Sequence, residues 1–184
     1  MDPKILAVIV VAVVVLLILA FVIARKQRTA KLRKHFGTEY DRAVRDVGAQ
    51  RADAVLLERE KRVEKFQIHE LPADQREQFV SDWRMVQSRF VDDPQGAVAE
   101  ADVLVNRLML ARGYPMSDFE QRAADISVTH PRVVENYRAA RIIALRHAQG
   151  QANTEDLRNA MIYYRSLFEE LLQTGTIRHT REVA

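Results

Sequence analysis

Twenty consecutive residues near the start of the chain, "ILAVIVVAVVVLLILAFVIA" from Ile5 to Ala24, carry no polar side chain: sixteen are Ile, Leu, Val or Phe and four are Ala. As a helix rising 1.5 Å per residue such a segment is about 30 Å long, the thickness of a bilayer's hydrocarbon core. At roughly −0.3 to −0.6 kcal/mol for each large apolar side chain, its insertion is favourable by something on the order of 5 to 10 kcal/mol. The β-branched valines would suit a strand in water, but in lipid a lone segment satisfies its backbone hydrogen bonds only as a helix. A cleaved signal peptide has a shorter apolar core, about 7 to 15 residues, behind a basic leader. Here "MDPK" offers one acid and one base, and the strong charge comes afterwards. The expectation is an uncleaved transmembrane anchor over residues 1–24 with a short outer N-terminus.

The segment that follows, "RKQRTAKLRK", puts six bases in ten positions with no acid: Arg25, Lys26, Arg28, Lys31, Arg33 and Lys34. Lys and Arg beside a membrane segment stay on the cytoplasmic side, and each contributes on the order of 1 kcal/mol next to anionic lipid. Residues 25–37 therefore read as a basic juxtamembrane segment, with the N-terminus outside, the rest cytoplasmic and anionic headgroups as the first partner. The rival is a nucleic-acid arm, which would be supported by basic or aromatic surface in the folded domain. Removing the seven bases and one acid of residues 1–34 from totals of 28 and 25 leaves 21 bases and 24 acids, a net of −3. The body is mildly acidic and holds no nucleic-acid motif, so no nucleic-acid partner is expected.

Beyond the basic segment the pattern is helix after helix. Gly37 and Gly48 stop helices, with a restart at Thr38 backed by Asp41. "AQRADAVLLEREKRVEKF" is a charged helix with a thin seam at Ala52, Leu56, Val63 and Phe66. It is either a stalk or coiled coil, or an ordinary first helix of a bundle, within a polar helical linker over 38–70. From Leu71 the stripes strengthen. Phe79, Trp83, Val86 and Phe90 share one helix face, as do Val98, Ala101, Val105 and Leu108. Between them Asp93 reads as an N-cap and Pro94 as a first helical residue, and "RGYP" at Gly113 and Pro115 ends the second helix. Ser117 with Glu120 has capping-box spacing for a short helix. Another helix opens near Thr129, His130 and Pro131, aligns Val133, Tyr137, Ala140 and Ala144, and stops at Gly150. A last one starts at Asn153 or Thr154 and aligns Leu157, Met161, Tyr164, Phe168 and Leu171. Stripes of this kind bury themselves against one another, so the fold class is all-α: an N-terminal transmembrane helix followed by an antiparallel helical bundle over 71–172, with a flexible tail over 173–184.

Two strings, "FVDDPQGAVAEADVLVNRLMLARGYP" and "DFEQRAADISVTHPRVVENYRAA", resemble a group of uncharacterised bacterial single-pass membrane proteins with an N-terminal anchor and a C-terminal helical domain. The resemblance covers most of residues 71–172. It implies an anchored helical domain at a bacterial inner membrane and brings no activity, cofactor or site residue with it.

Signs of catalysis are weak. The chain has no cysteine, so no thiolate nucleophile or cysteine-ligated metal. Its histidines, at 35, 69, 130, 147 and 179, lack the spacing that sets two imidazoles on one helix face, and His130 beside Pro131 reads as a helix-start residue. Asp92 and Asp93 read as capping and helix-dipole groups rather than a carboxylate pair. No phosphate-binding glycine loop or nucleophile elbow occurs. Neither an enzyme nor a cofactor is therefore expected. Arg112, Tyr114 and Tyr163 are the positions read as a protein-partner contact, since Tyr and Arg dominate interface hot spots. The function expected is a protein-interaction adaptor or scaffold at the inner membrane. The alternatives are a ligand-binding sensor of the same topology, or an enzyme whose site assembles only on folding. Oligomerisation could use the charged helix at 49–66 or the Ala20 and Ala24 pair.

Overall fold

A computed structural model describes residues 3–173, with side chains from Ala12 onward. The described residues form eight α-helices and no strand: α1 Pro3–Phe36, α2 Thr38–Val47, α3 Ala49–Val63, α4 Ala73–Arg89, α5 Pro94–Ala111, α6 Phe119–Thr129, α7 Val134–Ala148 and α8 Thr154–Gln173. The chain divides into two compact units, Met1–Leu56 and Leu57–Ala184, with the boundary inside α3. The expected tail beyond Gln173 lies outside the described residues.

In the first unit the breaks fall at Gly37 and Gly48, both with positive φ. The side chains buried here are Leu32, Phe36, Glu39, Tyr40, Ala43, Ala52 and Leu56. Asp53 of α3 accepts from Thr29 Oγ1 of α1 at 2.5 Å and from Tyr40 Oη of α2 at 3.0 Å, so one carboxylate ties three helices. The expected Thr38 and Asp41 capping pair does not form. Gly37 is the N-cap of α2 and makes no side-chain bond, and Asp41 instead accepts from Arg33 at 3.2 Å.

In the second unit the helical stripes meet as one core. Phe79, Trp83 and Val86 of α4, Val98, Ala101, Val105 and Leu108 of α5, Tyr137 and Ala140 of α7, and Leu157, Met161, Tyr164, Phe168 and Leu171 of α8 all belong to it. Trp83 stacks on Phe168 with ring centroids 4.7 Å apart, joining α4 to α8. Each large side chain buried this way contributes about 1.5 to 3 kcal/mol of transfer free energy before ordering costs are subtracted. The last part of α3 is held to α6 by Arg62, whose Nε and Nη2 donate to Asp125 Oδ1 at 2.9 and 2.6 Å.

The caps at Asp93 and Gly113 are as the sequence implies. Asp93 accepts from Gly96 N at 2.8 Å with Pro94 in the first turn. Two starts differ. Asp118, not Ser117, caps α6, accepting from Gln121 N at 2.9 Å. His130 does not open α7 but ends α6 as its C-cap, and α7 begins at Val134. In α8 the N-cap is Asn153, in a reciprocal pair with Asp156 at 2.9 Å in each direction.

Gly113 and Gly150 both adopt positive φ, but only Gly113 is crowded: a Cβ there would run into the Gln67 carbonyl, whereas Gly150 has open space. Gly150→Ala should therefore cost about 1 to 2 kcal/mol, the left-handed backbone penalty alone. Gly113→Ala should cost clearly more, with thermal unfolding followed by circular dichroism giving both values.

Candidate functional site

Helix α1 carries two chemistries in sequence. Leu16, Leu17 and Phe21 are 65%, 65% and 68% exposed, and the other large residues from Val13 to Ile23 are similarly open, so apolar surface faces outward on every side of the helix. Among the described residues no helix is long and apolar enough to cross a membrane. The apolar side chains described, Ala12 to Ala24, make a rod of about 20 Å, and those of Ile5 to Val11 lie outside the description.

From Arg25 the same helix becomes amphipathic. Thr29, Leu32 and Phe36, spaced by three and four, form its inward stripe. Lys26, Arg28, Lys31, Arg33 and Lys34 take the remaining directions, Arg25 continues the row of the inward stripe one turn earlier, and all six are exposed. Arg33 is partly spent on Asp41, although its side chain is still 66% exposed. The six bases thus form a sleeve around one helix, its inner strip fixed by the Asp53 bonds.

The three positions read as a partner contact are not exposed together. Arg112 and Tyr114 are buried, at 2% and 1% exposure, and Tyr163 is half-buried against the core. Arg112 is the C-cap residue of α5 and reaches across to donate from Nη1 to the Leu171 carbonyl in the last turn of α8. A cation belongs there, at the negative end of the helix dipole. Its Nε has no acceptor among the described residues, and burial lowers its pKa while Tyr114 and Glu70 oppose that shift. Tyr114 Oη pairs with Thr129 Oγ1 at 2.6 Å, fastening the turn after α5 to the end of α6. Beside them, His130 is buried with Nδ1 at 3.4 Å from Glu170 Oε1.

A second polar chain crosses the core. Arg122 Nε donates to Tyr137 Oη at 3.4 Å, which donates to Asn106 Oδ1 at 3.2 Å. Asn106 Nδ2 donates to Asp102 Oδ2 at 3.3 Å, and Tyr164 Oη to Asp102 Oδ1 at 3.0 Å. Burial first, and Asp102 second, push the Tyr164 phenol well above its usual pKa, so it is a fixed donor at neutral pH. Each link is a satisfied donor and acceptor between α5, α6, α7 and α8, which specifies how these helices register. Among the described residues no three His, Asp or Glu side chains converge as a metal site.

Among the described residues, two concavities lie on the outer face of α4 and α5. One, of about 580 Å³, has Met85 and Val86 of α4 and Val103 and Leu104 of α5 along its floor and walls. The next, about 380 Å³, continues past Asp82 and Arg107 toward Phe79 and Leu110. A scan against protein-family models and searches of curated proteins and of solved structures return no match to the chain. The sequence pattern did not single out this groove, although the signal is present in it: Met85, Val103 and Leu110 are large apolar residues off the core stripes and are 60%, 57% and 54% exposed.

His130 gives the cluster a pH response of known sign. Burial, the largest influence, lowers its pKa, reinforced by the Arg112 charge and opposed by Glu170. The folded state then binds fewer protons than the unfolded state below the ordinary histidine pKa of about 6.5. Stability should therefore fall as pH drops from 7 through that window, read as the melting temperature. His130→Gln should flatten the slope.

Proposed function

We propose that the chain is a single-pass membrane protein of the bacterial inner membrane whose helical units lie on the cytoplasmic side and act as an adaptor or scaffold for other proteins. One observation carries this: a helix that exposes apolar side chains in every direction passes, without a break, into one that exposes six bases around its circumference. The first surface is unfavourable in water and matches acyl chains; the second matches anionic headgroups at the point where the helix leaves the lipid. The role beyond anchoring is inferred from the second unit, where the buried polar groups named above are engaged in joining helices and the concave surface is an open groove with apolar walls. Such a groove suits a folded or helical polypeptide, a second copy of this chain included, better than an enclosed small molecule.

The absence of cysteine makes topology directly measurable. With Lys4→Cys or Gln173→Cys in the full chain, a membrane-impermeant thiol reagent applied to intact cells should label position 4. Position 173 should react only after permeabilisation. Labelling of position 173 in intact cells would invert the orientation, and equal protection of both would remove the crossing.

A further inference from the structure

The wall of the larger α4/α5 groove repeats one motif on both helices. On α4 it is Asp82, Met85, Val86 and Arg89; on α5 it is Glu100, Val103, Leu104 and Arg107. Each is an acid, two apolar residues three and four positions on, and an arginine at seven, so all four share one side of two helical turns. The helices run antiparallel, and the motifs meet head to tail: Arg107 Nη1 pairs with Asp82 Oδ2 at 3.3 Å, and Arg89 pairs with Glu100 at the other end. Arg89 also holds Asp93 at 2.9 Å. By the helical rise the two cross-groove pairs are about 10 Å apart. The groove is thus an apolar basin closed at each end by one acid and one base, with a local two-fold relation between its walls.

Val86 and Leu104 are buried in the floor of this basin, whereas Met85 and Val103 are 60% and 57% exposed. Their positions are those of the inner seam of a helical bundle, with charges at the flanking positions, yet no described helix covers them. The charge pattern selects an occupant. A strongly acidic or basic partner would leave half of the four charges facing their own sign. A second copy would not: a two-fold axis in the plane of this face, running either along or across the hairpin, sets Asp82 and Glu100 of one copy opposite arginines of the other. The geometry points to a homodimer in which the α4/α5 hairpin of one chain packs on that of a second copy, completing a four-helix arrangement over Met85 and Val103. The partner surface is then isologous, the same patch used twice. It does not depend on the anchor, since the motif lies wholly within the second unit.

The test uses the full chain in the fraction that contains it. Met85→Cys or Val103→Cys, treated with a short bismaleimide, should give a covalent dimer; Ile162→Cys, equally exposed at 55% but outside the groove, should not. Val103→Asp should reduce cross-linking through Met85→Cys at least tenfold while leaving the helical signal and melting temperature close to those of the parent. The dimer is overturned if position 162 cross-links as readily as 85 and 103, or if neither groove position cross-links. It is equally overturned if the adduct contains a different polypeptide, or if Val103→Asp folds normally and still cross-links.

Discussion

Burial of apolar side chains governs this molecule, and its helices pose that requirement in two unlike ways. In α4, α5, α7 and α8 the apolar residues follow helical spacing on one side, so the helices satisfy one another and water sees the charged remainder. From Ala12 to Ala24 of α1 they lie on every side, and no described helix encloses them. A bilayer would remove such a surface from water without a protein partner. The sharp change of chemistry at Arg25 marks where that environment would end.

Polar groups then decide which of many compact packings is adopted. Asp53 binds one residue from each of two neighbouring helices, Arg112 closes the end of α8, and the chain from Arg122 to Tyr164 through Asp102 joins four helices. A shifted register would leave buried donors or carboxylates without partners, each at a cost of about 1 to 3 kcal/mol. The apolar stripes make the bundle compact, and these bonds make it singular.

Much of the second unit was legible because its helices obey local rules. The spacing of Phe79, Trp83 and Val86, and of Leu157, Met161, Tyr164, Phe168 and Leu171, names the buried face without knowledge of what covers it. Where two local solutions compete, the pattern is ambiguous: Ser117 is three residues from Glu120, Asp118 is three from Gln121, and the fold takes Asp118. Thr129, His130 and Pro131 look like a helix start because proline suits a first turn, yet here they close α6. Arg112 and Tyr114 were illegible for a different reason. Their burial depends on Leu171 and Thr129, 59 and 15 residues away, and nothing next to them in sequence announces those partners. The groove motif is visible in the sequence, but its meaning is not: only the antiparallel pairing of α4 with α5 turns two separate eight-residue strings into one basin.

The central claim is that the apolar part of α1 remains in lipid as an intact helix. Washing native membranes with alkaline carbonate, followed by the intact mass of the chain from the pellet, tests it most directly. The account predicts that the chain stays with the membrane and that its mass includes residues 5 to 24. Release into the supernatant, or a product beginning near Arg25, would contradict it.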